Sequence, residues 1–116
     1  MNIEEYLKKN YKNIDMNILV DLFFKEKYFY TLIYPQSIPK RSEYLIQEID
    51  KDIVGLVFTS KAKLQEYKKQ EPLVSNWIEK QYETNNFEQY FKDVNKSIKG
   101  ICINYPFYWC KLMLQM

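Results

Sequence analysis

Histidine is absent from this chain, and arginine, glycine and cysteine are nearly so. Without an imidazole, neither a Ser–His nor a Cys–His nucleophilic pair can be assembled, and the commonest zinc ligand is gone. Cys102 and Cys110, the two cysteines, make neither a plausible nitrogen–sulfur metal site nor a disulfide framework. Gly55 and Gly100 are the only glycines, which excludes a glycine-rich phosphate loop. Arg41 is the single arginine, so planar bidentate recognition of phosphate or guanine is largely out of reach. No apolar run approaches the length of a membrane span, and Glu4 and Glu5 stand where a signal peptide needs a basic start and an apolar stretch. The expectation is a cytoplasmic protein with no cofactor, no membrane partner and no metal.

Lysine, tyrosine and apolar residues fill the chain instead. At 116 residues it matches a single domain, and a hydrophobic share of 47% supports one packed core. Aromatics reach 17%, with eleven Tyr and seven Phe. Low-GC coding inflates Tyr and Lys, but each Tyr also buries a ring while keeping a wet hydroxyl. The net charge is only +2, with Lys and Glu interspersed, which is no electrostatic footprint for nucleic acid.

The order of elements reads as α/β. Asn2 and Glu5 have capping spacing and open a short helix to about Lys9. A second helix fits residues 15–26, capped by Asp15 or Asn17. Its stripe of Ile14, Ile18, Leu19, Leu22 and Phe23, widened by Met16, Val20 and Phe24, predicts packing on more than one side. Residues 28–34 are aromatic and β-branched almost throughout, a strand with both faces covered, ended by Pro35 and Pro39. Tyr44–Ile49 and Ile53–Phe58 flank Asp50-Lys51-Asp52 as a hairpin, with the first strand outer and the second central. Thr59 or Ser60 caps a helix from Lys61 to Gln70, with Leu64 and Tyr67 inward. In residues 73–82, Val74, Ile78 and Tyr82 fit either one helical stripe or one face of an alternating strand, and Pro72 suits the first position of either; the stretch is read as a short strand. Phe87, Tyr90, Phe91 and Val94 form an unbroken helical stripe behind a capping Asn85. Residues 100–104 form another apolar strand, and a terminal element carries Phe107 to Met116. The predicted fold is a single-domain mixed sheet of about five strands with helices on its faces.

Three groups could carry function. Glu48, Asp50 and Asp52 could bind a cation for hydrolysis or ligand binding, though acids at a hairpin also serve as turn formers. Phe58, Thr59, Ser60 and Asn104 stand at strand ends, where α/β sheets bind ligands; the plainer roles of the polar three are helix capping and turn formation. Tyr105, Phe107, Tyr108 and Trp109 belong to a run too bulky for every member to face inward, which suits a contact surface or a tail folded over a sheet edge. Stacking of Tyr and Lys on RNA is a weaker third possibility. Cys102 reads as a small hydrophobe within a strand, and Gly55 as a bulge or a close backbone approach.

The helix ending near Lys27, the strand Tyr30-Thr31-Leu32-Ile33-Tyr34-Pro35, the hairpin closing on Val57-Phe58-Thr59-Ser60, the helix after it and Gly100–Asn104 together resemble the N-terminal domain of the SseB, or enhanced serine sensitivity, protein family. The match spans roughly residues 15–110. The family's Phe-Thr-Ser element falls on Phe58, Thr59 and Ser60, whereas its Asn-Pro pair is interrupted here by Tyr105 between Asn104 and Pro106. The resemblance implies an α/β sandwich without an established catalytic site, and without the second domain of longer members. It also implies a non-enzymatic protein-interaction module, in its specific form an immunity protein that neutralises a cognate bacterial toxin; a second copy of this chain is the other partner the aromatic run could meet.

Overall fold

In the computed structural model, residues 1–35, 43–94 and 98–113 are described. The expectations that fall on Pro39, Arg41 and residues 114–116 lie outside them. Helix α1 (Ile3–Asn10) starts where the Asn2 side chain accepts the Glu5 N–H, and α2 (Met16–Lys25) where Asp15 accepts the N–H groups of Asn17 and Ile18. Strand β1 (Tyr28–Ile33) leads into the hairpin of β2 (Ile46–Ile49) and β3 (Asp52–Val57). Asp50 and Lys51 turn that hairpin at φ 53° and 71°, left-handed values at both central positions that match the twist of paired strands. Ser60, not Thr59, caps α3 (Lys61–Gln70) by accepting the Lys63 N–H.

The doubtful stretch after α3 divides into a short 3-10 turn, Pro72–Val74, and strand β4 (Ile78–Glu83). Helix α4 (Phe87–Val94) follows a second 3-10 turn at Thr84–Asn86. Among the described residues the expected Asn85 makes no capping bond to α4; the Thr84 hydroxyl at that junction instead donates to the Glu26 carbonyl at the end of α2. Strands β5 (Gly100–Ile103) and β6 (Cys110–Met113) complete the described elements.

Among the described residues, six strands form two sheets, β1–β4 and β2–β3–β5–β6. The larger is mixed: β3 and β5 run parallel, and every other neighbouring pair is antiparallel. Tyr30 and Phe58 exchange two 2.8 Å backbone bonds, and Leu45 donates to the Leu32 carbonyl at 3.0 Å, so β1 stitches the small sheet onto the large one. Helices pack on the sheets to give a single α/β domain, as the element order predicts.

The core falls into two clusters. One joins α1, α2 and α4 to the sheet through Leu7, Leu19, Phe23, Phe29, Tyr82 and Tyr90; the other lies under α3, where Phe58 meets Tyr67. Gly55 is explained by the first cluster. A Cβ there would collide with the hydroxyl of Tyr90, whose ring lies over the strand, so the close approach is made by a tyrosine.

Two expectations need correction. Helix α2 does not pack on more than one side: Leu19 and Phe23 are buried, but Met16, Ile18 and Phe24 are 40–47% exposed. A stripe wider than one face has no second layer to meet on an outer helix. Ile53 is likewise exposed although β3 is central, because its side chain falls at the hairpin end, where the sheet has no cover.

Candidate functional site

The parallel pair β3 and β5 sets the location. Both strands end at the same edge of the sheet, and the chain leaves them through Phe58-Thr59-Ser60 and Asn104-Tyr105. Asn104 adopts φ 62°, a left-handed value that Asn tolerates better than most residues. Its buried side chain joins the two strand ends: Oδ1 accepts the Thr59 N–H and Nδ2 donates to Thr59 Oγ1, both at 2.9 Å. The Asn104 N–H donates to the Val57 carbonyl at 2.9 Å, and the Phe107 N–H returns to the Asn104 carbonyl at 2.9 Å.

Glu4 of α1 extends this clamp. Its Oε1 accepts the Ser60 hydroxyl at 2.7 Å and the Thr59 hydroxyl at 3.2 Å. Thr59, Ser60 and Asn104 are therefore brought together as the strand-end reading requires, but their polar atoms bind one another, the α3 N-terminus and Glu4. Phe58 is fully buried beneath them as core. Glu26 adds a second carboxyl nearby: burial raises its pKa above the usual carboxylate range, the charge of Glu4 adds to that, and a hydrogen bond from the Ile3 N–H opposes both.

Beyond the clamp the chain turns through the cis Tyr105–Pro106 peptide into the aromatic run. Tyr105 and Trp109 pack edge to face at 5.2 Å, and both are half-buried against the cluster under α3. Phe107 is half-buried below the Lys63 ammonium, which sits 4.9 Å from its ring centre. Tyr108 is 44% exposed and meets Tyr11, from the turn after α1, at 5.2 Å between ring centres. Cys110 is buried where β6 begins along β5. The run thus divides: its end forms a strand on the sheet edge, and its middle leaves aromatic surface open.

Two depressions flank Tyr108. One, of about 270 Å³, is lined by Glu4, Glu5, Lys8, Lys63, Asn104 and Tyr108. The other, of about 490 Å³, is lined by Tyr11, Ile14, Phe107, Tyr108, Trp109, Cys110 and Lys111. Sequence reasoning missed Glu4, Lys8, Tyr11, Ile14 and Lys63. No local pattern marks them, because α1, the turn after it and the first turn of α3 meet the aromatic run only through tertiary packing.

The acidic group at the hairpin lies elsewhere. Lys111 of β6 donates to Asp52 at 3.0 Å and to the Ile49 carbonyl at 3.4 Å, and lies 3.8 Å from Asp50. Its pKa is raised, first by the hydrogen bond to Asp52. Glu48 is exposed and takes no part in these contacts. Among the described residues no three His, Cys, Asp or Glu side chains are grouped to hold a metal ion. The Cys102 thiol, buried in β5, is pushed up to about 12, chiefly by desolvation, so its thiolate is scarce at neutral pH. Among the described residues, no helix is long and apolar enough to cross a membrane.

Compared with models of protein families, with curated proteins and with solved structures, the chain shows no match.

Proposed function

We propose that this chain is a non-enzymatic, cytoplasmic protein-interaction module whose contact surface is the aromatic run Tyr105, Phe107, Tyr108 and Trp109 with Tyr11 beside it. The observation that carries this reading is the held but open state of that run. Asn104 and Thr59 clamp its root, β6 anchors its far end, and Tyr108 still turns nearly half its surface to solvent. Aromatic residues fixed in this way offer large contact area for little further loss of conformational freedom, which is the character of binding hot spots. The polar groups at the strand ends bind one another and Glu4, so they read as scaffold for the aromatic surface.

In its specific form the reading is an immunity protein that blocks a cognate bacterial toxin, as the resemblance to the SseB N-terminal domain implies. The test is a two-hybrid measurement between this chain and the product of any large toxin-like gene encoded beside it, with light scattering to measure self-association. Tyr108→Ala and Trp109→Ala should weaken the interaction by about 2 kcal/mol or more while the chain stays folded by circular dichroism. Folded variants that bind as well as the parent would sink the reading.

A further inference from the structure

We infer that the outer edge of β4 receives an extended segment of another protein, which joins the small sheet as a further strand. This surface is separate from the aromatic run: no β4 residue lines either depression beside Tyr108. The ladder fixes which main-chain groups face outward. Just past the Tyr28–Glu83 pair, the Thr84 N–H donates to the Lys27 carbonyl at 3.1 Å. Bonded positions alternate in an antiparallel ladder, so Ile78, Lys80 and Tyr82 turn their main-chain groups toward β1. Strand β1 shows the same alternation: Tyr30 and Leu32, opposite Gln81 and Glu79, bond away from β4 to Phe58 and Leu45. The N–H groups of Glu79, Gln81 and Glu83 and the carbonyls of Glu79 and Gln81 therefore point to the far side. Among the described residues none of these groups finds a main-chain partner.

The main chain defines the occupant. A row of outward N–H and C=O groups at strand spacing is matched by another extended backbone. The usual seals of an edge are missing: the register with β1 runs unbroken from Ile78 to Glu83, without proline, glycine or bulge. Every β4 residue but Tyr82 is exposed. The charges along the strand are of both signs and partly matched within the chain. Glu79 is held by Lys68 at 3.5 Å and by Gln65 at 2.6 Å, and Lys80 stands 5.4 Å from the Tyr82 ring centre. They still discriminate against a second copy. In the two-fold registers that bring outward groups together along most of β4, Lys80 faces its own counterpart or Glu79 faces the copy's Glu83. Like charges directly opposite destabilise a sheet, so the fitting strand has a different sequence. Where β4 begins, Ile78 is 56% exposed and the exposed Tyr34 packs on Trp77, which leaves apolar surface for that strand's side chains.

The test is hydrogen exchange followed amide by amide by NMR on the whole chain. In dilute solution Glu79, Gln81 and Glu83 should exchange fast, and Lys80 and Tyr82 slowly. The probe is a capped synthetic peptide of alternating Val and Thr, flanked by Lys for solubility and long enough to span β4. It should protect the three outward amides saturably, whereas the same peptide N-methylated at every residue should not. Gln81→Pro removes an outward N–H and leaves the β1 ladder intact. It should weaken peptide binding roughly tenfold, while Gln81→Ala binds as the parent does. Should Gln81→Pro fail to fold, the N-methylated peptide decides alone. Slow exchange of Gln81 in the dilute free chain overturns the inference, as does protection that grows with chain concentration alone, which would assign the edge to a second copy. Equal protection by the N-methylated peptide, or none by the Val–Thr peptide, overturns it too. None of these results bears on the aromatic run, whose own test is the two-hybrid signal of Trp109→Ala.

Discussion

Two aromatic assemblies in this molecule meet opposite fates. Around α4, Phe23, Phe29, Tyr82, Phe87 and Tyr90 pack with ring centres 5.4–6.0 Å apart, and Phe23, Phe29 and Tyr90 are fully buried. At the end of β5, Tyr105, Phe107, Tyr108 and Trp109 are equally bulky, yet none is fully buried. Residue type cannot account for the contrast; spacing can. Phe87, Tyr90, Phe91 and Val94 recur at helical intervals and share one face of α4, which a sheet can cover. Tyr105–Trp109 follow one another through a loop, so successive side chains diverge, and only those turned toward α3 or the sheet find cover. Aromatic content alone therefore says little about burial, and the open assembly is the one that keeps exposed ring surface.

The sharpest way to break that contrast is truncation. Phe29→Ala should cost about 3–5 kcal/mol in urea unfolding, since it empties the centre of the closed assembly. Trp109→Ala removes a half-buried ring from the loop and should cost roughly 1–2 kcal/mol, less than a fully buried side chain of its size contributes. Equal losses would mean that the loop is core and that its surface is no interaction site.

A middle-sized effect probes how tightly the closed assembly is filled. Gly55→Ala places a methyl group against the Tyr90 oxygen and should destabilise by about 1–3 kcal/mol. The Tyr90 hydroxyl is buried with no hydrogen-bond partner among the described residues, so Tyr90→Phe alone should be neutral or stabilising. Combined with Gly55→Ala, Tyr90→Phe should recover part of the loss, a coupling readable from a double-mutant cycle. Strict additivity would show that the clash is relieved by movement of the strand.

The smallest effect concerns the root of the open loop. Ser60→Ala should cost about 1 kcal/mol, because it removes the α3 cap along with a bond to Glu4. If Ser60→Ala is silent in thermal melts, the cap and the Glu4 contact add nothing, and the loop is held by Asn104 alone.

Much of the fold was legible from local pattern, for reasons the structure makes plain. Caps at Asn2, Asp15 and Ser60 satisfy helix N–H groups with side chains close by in sequence, so they can be read without knowing the fold. The hairpin at Asp50-Lys51 is similarly a local signal. The α2 stripe misled because hydrophobicity marks which residues could be buried, whereas the number of neighbouring layers decides how many are. In the candidate site, Thr59, Ser60, Asn104 and the aromatic run were visible because they lie at strand ends.

The sequence by itself determined the single α/β domain, the order of its elements, the lack of imidazole chemistry and the concentration of aromatic residues after β5. Only the tertiary structure decided that Glu4, Tyr11 and Lys63 meet that aromatic run, because contacts such as Ser60 to Glu4 span 56 positions of chain and depend on how α1 packs. It also turned the hairpin acids into partners of Lys111, 59 positions beyond Asp52, since a strand's neighbour across a sheet is set by topology and leaves no trace in local spacing.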